Sequence, residues 1–433
     1  MARPLTKWFI LIAGSVIAQL FACDRTHSPK LELTNLAHLN HLYEDVDIAG
    51  RPMAIIHIYS EYPKYEWVDA AGEGVACIDD AARAAVVYLR HFEITGDSAS
   101  LRRGKRLIEF CRYLQDDDGL FYNFIRADHT INREGQTSRK CLGWWTGRAV
   151  FALGEAYHIL RDIEPSYAAA LQIDLRKTFF HIDTLMAHHP KIDTLDGFAT
   201  PRWLLYNSAA DATTELMLGL ASYARASADS MAINYLRKFA AGLIAMQLGN
   251  EHEFPFGAFL SWKNFWHGWG NSQTQALASI GNLSGFEAEL VAAETEARRF
   301  YPYWLSNGRM RELQFGKLGD SLFIAQVDTF DQIAYAIRPM VVGAIKLAEV
   351  TGDAYYAELA ADLATWFFGN NPAEAAMYDP KTGRCYDGIL SATEINRNSG
   401  AESTIEALYA ILEVEANVVA KRRLMSWLEA RRL

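Results

Sequence analysis

Two short stretches at opposite ends of the chain carry carboxylates in settings that suit acid/base work. Cys77-Ile78-Asp79-Asp80-Ala81-Ala82-Arg83-Ala84 puts two acids and an arginine at the start of a helical run, and Asn396-Arg397-Asn398-Ser399-Gly400-Ala401-Glu402-Ser403 does the same for a glutamate far downstream. Cleaving an acetal takes one carboxylic acid to protonate the leaving oxygen and one carboxylate on the opposite face; a separation of about 6.5 to 9.5 Å leaves room for water and gives inversion. Acids at helix starts also have a plain structural use, because they cap free N–H groups and suit the positive end of the helix dipole. Asp211, Asp328 and Asp331 stand at comparable positions and Glu134 lies in a polar loop, so each is a reserve carboxylate.

The same positions are furnished for sugars. Helix starts carry Trp144, Trp145 and Arg148, then Tyr206 and Asn207 with Asp211, then Trp269 with Asn271 and Gln275, then Asp328 and Asp331, then Asn398. Sugars offer hydroxyls that want bidentate polar partners and apolar faces that stack on aromatic rings. Ser261–Gly270 holds three tryptophans and His267 in a glycine-punctuated loop, where Trp266 and Trp269 are expected to stack on a sugar ahead of Trp262. Asp116-Asp117-Asp118-Gly119 lacks the further ligands of an EF-hand, and His188-His189 lacks the spacing of a helical zinc pair. No metal or other cofactor is expected.

These residues need a frame that brings several helix starts together. From residue 75 onward, apolar residues recur at helical spacing in paired runs separated by Gly, Asp or Pro breaks. The spacing predicts pairs over 79–94 and 98–115, 144–160 and 165–188, 207–226 and 229–248, 271–282 and 286–304, 329–349 and 353–369, and 400–415 and 418–431. Thr95-Gly96-Asp97 and Thr351-Gly352-Asp353 divide two of these pairs in the same way. Six up-down pairs suit an all-α (α/α)6 barrel, with the first helix of each pair inside and the connections into those helices gathered at one mouth. An open solenoid would use shorter, more uniform repeats. Residues 46–70, with Ala54-Ile55-Ile56-His57-Ile58-Tyr59, read as a short strand or extended segment on the barrel, so 46–433 forms one domain.

The N-terminus reads as an export signal. A basic start is followed by an apolar stretch from Trp8 to Phe21 and then Ala22-Cys23, which marks 1–22 as a signal peptide. Leu20-Phe21-Ala22-Cys23 looks like a bacterial lipobox, with Cys23 acylated, 23–45 a tether and the protein held at the cell envelope on the periplasmic or outer-surface side. Of the remaining Cys77, Cys111, Cys141 and Cys385, most are expected to be buried thiols. The net charge of −10, from 42 Lys+Arg against 52 Asp+Glu, argues against nucleic acid as a partner.

With these motifs in place the chain resembles the six-hairpin glycosidase superfamily over about residues 75–430, and its layout is similar to that of family-nine glycoside hydrolases. Gly369-Asn370-Asn371-Pro372 looks like the Gly-x-Asn-Pro turn of such enzymes. The resemblance implies that the Asp pair activates water and that Glu402 protonates the leaving oxygen. Glu402 is then the general acid, Asp80 the base, and Asp79 its orienting partner or substitute. The function expected is inverting hydrolysis of an oligo- or polysaccharide. A polysaccharide lyase on the same toroid could recruit Tyr206, Asn207, His267 and Arg148, a sugar epimerase would use a histidine pair, and a glycan-binding lipoprotein would keep the cleft without the chemistry.

Overall fold

In the computed structural model, which describes residues 31–283, 285–319 and 321–431, a short helix α1 (Ala37–Leu42) precedes six helical hairpins. These are α2 (Ile78–Thr95) with α3 (Ser98–Tyr113), α4 (Trp144–Leu160) with α5 (Pro165–Lys177) continued by α6 (Phe179–Met186), α7 (Ala210–Ser227) with α8 (Ser230–Ala245), α9 (Gln273–Ile280) with α10 (Glu287–Ser306), α11 (Ala334–Thr351) with α12 (Ala354–Ala364), and α13 (Ala401–Ala416) with α14 (Val418–Ala430). The first helix of each pair packs on the first helix of the next, and α13 closes on α2. The ring is therefore a closed (α/α)6 barrel and not a solenoid. The expected signal peptide and Cys23 lie outside the described residues.

Inner and outer helices differ as their positions require. Along α2 every residue from Ala81 to Leu89 is buried, Arg83 included, whereas α3 buries one stripe that includes Leu107, Ile108, Phe110 and Cys111. A helix buried all round and a helix with a wet face are the two layers of such a ring. Small residues let the inner helices meet: a Cβ on Gly154 or Gly219 would lie 2.2 or 2.3 Å from a carbonyl oxygen of the facing helix. The two Thr-Gly-Asp turns fold alike. Gly96 and Gly352 take φ of 75° and 71° to end their helices, and Asp97 and Asp353 accept N–H groups of the next first turn.

Two expectations change. Residues 31–45 are not a free tether: Leu33, Leu39 and Leu42 are buried, and the carboxylate of Glu415 accepts the backbone N–H groups of Glu32, Leu33 and Thr34 at 2.6, 3.1 and 2.7 Å. A buried acid at the end of α13 thus fastens residues 32–34 to the barrel. The connections also carry more β-structure than the expected segment at 46–70. Residues 43–48 pair with 51–56, 59–61 with 66–68, and 192–195 with 198–201. A three-stranded antiparallel sheet joins Phe265–His267, Glu312–Leu318 and Ser321–Asp328. Among the described residues Cys77, Cys111, Cys141 and Cys385 are free thiols, three of them buried. Among the described residues no helix is long and apolar enough to cross a membrane.

Candidate active site

The N-terminal ends of the inner helices converge on a cavity of about 760 Å³. One wall is α2. Asp79, in its first turn, faces the cavity; its carboxylate lies 2.7 Å from Arg148 Nη1 and accepts Asn123 Nδ2–H at 3.0 Å, while Asn123 Oδ1 accepts the Asp79 N–H at 3.3 Å. Arg148 in turn donates to the Tyr335 hydroxyl at 2.9 Å, which donates to buried Glu215 at 3.2 Å. The floor is a chain of alternating charges that holds Asp79 in place.

Asp80 does not reach the cavity, which corrects its assignment as the base. One residue along a helix turns the side chain by about 100°, and that step points Asp80 into the barrel wall, 4% exposed. There it accepts Arg83 Nη2–H at 2.9 Å and Cys77 Sγ–H at 3.2 Å. Burial pushes its pKa up to about 6 against the opposing pull of Arg83. Glu402 is corrected too: it sits outside the cavity with its side chain 43% exposed. Arg83 Nη1 donates to both Glu402 and Glu406 at 3.1 Å, so Glu402 balances a buried guanidinium. Burial alone would raise the pKa of Glu406, but Arg338 and Arg83 outweigh it and hold that carboxyl below the usual range. Arg338 also donates to Gln275 at 2.7 Å.

Another wall comes from the third and fourth hairpins. Asp211 Oδ2 is 3.1 Å from His267 Nε2, and Asp211 Oδ1 accepts the Ala212 N–H at 2.6 Å. Burial would lower the pKa of His267, but the bond and charge of Asp211 overcome it and favour the imidazolium. Asp79 and His267 both line the cavity, the first on α2 and the second on the connection into the fourth hairpin.

Aromatic rings make up much of the lining: Trp144, Trp145, Tyr206, Trp262 and Trp269. Several are held in place, Trp145 by donating to the Phe121 carbonyl at 2.8 Å and Trp144 and Trp269 by the guanidinium groups of Arg148 and Arg311, 5.3 and 5.6 Å from their ring centres. Tyr206, Asn207 and Ser208 have consecutive φ values of 51°, 56° and 136°, a strained stretch that lays the Tyr206 ring over Gly143. A Cβ on Gly143 would lie 1.9 Å from the Tyr206 oxygen.

Trp266 and Trp262 exchange places, while Trp269 lines the cavity. Trp266 is fully buried, edge-on to Phe300 at 4.9 Å, because residues 265–267 form a strand whose alternate side chains point to opposite faces. Trp262 lines the cavity instead. Other candidates also fall outside it. Asn207 is exposed beside Tyr206. Asn271 is fully buried, its amide without a hydrogen-bond partner among the described residues. Asp328 pairs with Arg311 at 3.1 Å, Asp331 lies outside the lining, Asn398 accepts the Tyr62 N–H at 3.0 Å, and Glu134 is exposed, 3.8 Å from Arg126. Conversely Glu73, Asn123, Thr137 and Tyr335 line the cavity unforeseen. Tyr335 was within reach: α11 begins at Ala334, five residues after the predicted start at 329, and its first turn carries Tyr335 in place of Asp328 and Asp331. Among the described residues no cluster of three or more His, Cys, Asp or Glu could hold a metal.

No protein-family profile and no curated protein sequence matches the chain. Solved structures do. A sugar epimerase from a ruminal bacterium superposes with a TM-score of 0.59 at 14% identity, covering 89% of this chain and 96% of that one. A family 76 glycoside hydrolase from a bovine Bacteroides thetaiotaomicron strain gives 0.56 at 11%, over 91% and 78%. The family 9 endoglucanase J30 gives 0.53 at 13%, over 89% and 82%. What these structures share with the chain is the fold, an (α/α)6 barrel.

Proposed function

We propose that the protein is a carbohydrate-active enzyme that hydrolyses glycosidic bonds of an oligo- or polysaccharide. The observation that carries this reading is that Asp79 and the Asp211–His267 couple, from non-adjacent hairpins, line one tryptophan-lined cavity. Hydrolysis of an acetal asks for such a pair, a base on one face of the sugar and a proton donor on the other. Asp79 takes the proton of an attacking water, and the Asp211–His267 couple, which shares one proton at 3.1 Å, supplies the proton for the leaving oxygen. Arg148 and Asn123 orient Asp79, and Trp144, Trp262 and Trp269 stack on sugar faces. Solved relatives of the same fold are named as glycoside hydrolases, which supports this choice.

A second reading draws on His267 itself. An imidazole and a carboxylate in one cavity also suit removal and return of a proton at a sugar carbon, and structures named as sugar epimerases share the fold. One experiment separates the two. The purified protein is incubated with a glycan panel in H₂¹⁸O and, separately, in D₂O. Hydrolysis puts ¹⁸O into a new reducing end and leaves carbon-bound hydrogen unexchanged; deuterium on carbon without cleavage would sink the hydrolase reading in favour of epimerisation, and unsaturated products would make the protein a lyase. Export and acylation at Cys23 belong to the same proposal, and loss of labelled palmitate incorporation in Cys23→Ala is the expected result.

A further inference from the structure

We propose that the hairpin of Tyr59–Glu61 and Glu66–Val68 is a second sugar-stacking platform, set across Asp79 from the tryptophan wall, so that the substrate is a glycan chain running through the mouth and cut internally. This rests on the glycan-hydrolase reading above.

The hairpin is fixed to the rim. The Ala401 N–H donates to the Ile58 carbonyl at 2.8 Å and the Ser399 N–H to the Ser60 carbonyl at 3.0 Å, while Asn398 accepts the Tyr62 N–H. These bonds tie it to the start of α13, the inner helix next to α2. Tyr59 stands within electrostatic reach of Glu73 in the cavity wall and of Asp80 and Glu402 beside it. The tryptophan wall belongs to the second and fourth hairpins, so Asp79 lies between the two sets of rings.

The rings of this hairpin are open to solvent where a core residue would not be. Tyr59 and Tyr62 are 46% and 50% exposed, and among the described residues neither hydroxyl has a hydrogen-bond partner. Trp67 differs: its ring stacks on His57 at 3.7 Å and its Nε1–H donates to the His41 carbonyl at 3.1 Å. Trp67, opposite Ser60, stiffens the hairpin, with Tyr59 at its open end and Tyr62 at the start of its turn. Aromatic rings exposed on a rigid rim, continuous with an aromatic cavity, suit the apolar faces of further sugar units. An uncharged glycan fits best, because Glu61 and Glu73 would repel uronates.

Calorimetric titration with cello-, manno- and xylo-oligosaccharides from disaccharide to octasaccharide tests this. For the series that binds, affinity is expected to step up once the chain is long enough to reach the hairpin. The double variant Tyr59→Ala, Tyr62→Ala should lose that step, by about 10-fold, and keep its affinity for the short sugars. Tyr59→Phe with Tyr62→Phe retains both rings and should retain the step. An unchanged length dependence in the alanine variant would overturn the platform alone, as would loss of the step in the phenylalanine variant. Absence of binding by the wild-type protein across all three series would overturn the glycan reading and the platform together.

Discussion

The two ends of the barrel are made from the same six inner helices and use their charges in opposite ways. Where the N-termini meet, first turns carry Asp79, Asp80, Asp211 and Glu402. Where the C-terminal halves meet, Arg90, Lys346, Arg225 and His158 gather with Glu93, Glu155, Glu349 and Glu413 around a smaller cavity of about 260 Å³. Acids in the first turns are what the helix dipole favours, whereas the second end balances cations against acids. At the second end the charges are spent on cohesion: Glu413 accepts Arg90 Nε–H and Nη2–H at 2.7 and 3.0 Å and lies 3.5 Å from Lys346. Burial alone would raise its pKa, and the two cations pull it down to about 2. At the first end Asp79 is a fifth exposed, held from one side by Arg148 and open to the cavity on the other. Pairing that is complete makes a strut, and pairing left open on one side makes a site.

Substitutions at the two ends should therefore separate activity from stability. Asp79→Asn is expected to lower kcat/KM by about 10³-fold, roughly 4 kcal/mol, with the thermal midpoint little changed; equal loss of both in calorimetry and rate assays would make Asp79 a structural residue. Glu413→Gln reverses the pattern. It leaves a buried cation pair without its anion and should cost about 3 kcal/mol or more in denaturant unfolding, with kcat unaffected in the folded fraction.

The pH dependence of stability sharpens the contrast. Glu413 has a folded pKa below its unfolded value, so its contribution is full above pH about 4.5 and is lost as the pH falls toward 2. Asp80 acts in the other sense. Its folded pKa of about 6 exceeds the ordinary 3.8, so the folded state loses stability as the pH rises from about 4 to 6. Thermal midpoints across that window should fall less steeply in Asp80→Asn than in the wild type; parallel curves would remove Asp80 as the source. The smallest effect is expected at the cavity wall. Trp269→Ala should weaken glycan binding by about 3- to 10-fold, near 1 kcal/mol, with no change in stability, and an unaltered titration would take Trp269 out of the binding surface.

Which of these residues could be read in advance follows a physical rule. Trp144, Trp145, Arg148 and Asp211 were legible because an inner-helix start always faces the mouth. Asp79 and Asp80 were legible as a pair, but which of the two meets substrate is a matter of helix rotation, fixed by how α2 packs between α13 and α4. Trp262 and Trp266 changed places because an unforeseen strand pairing with Glu312–Leu318 set the alternation. Glu415 and the N-terminal segment it holds lie at opposite ends of the chain, so no local pattern could join them.

The sequence alone determined the six hairpins, their order and the end of the barrel where acids and aromatic rings collect, because apolar periodicity, glycine turns and capping acids are local properties. The tertiary structure alone decided which acids are buried in ion pairs and which face open space, since burial and charge pairing depend on neighbours that the chain brings together only when the ring closes.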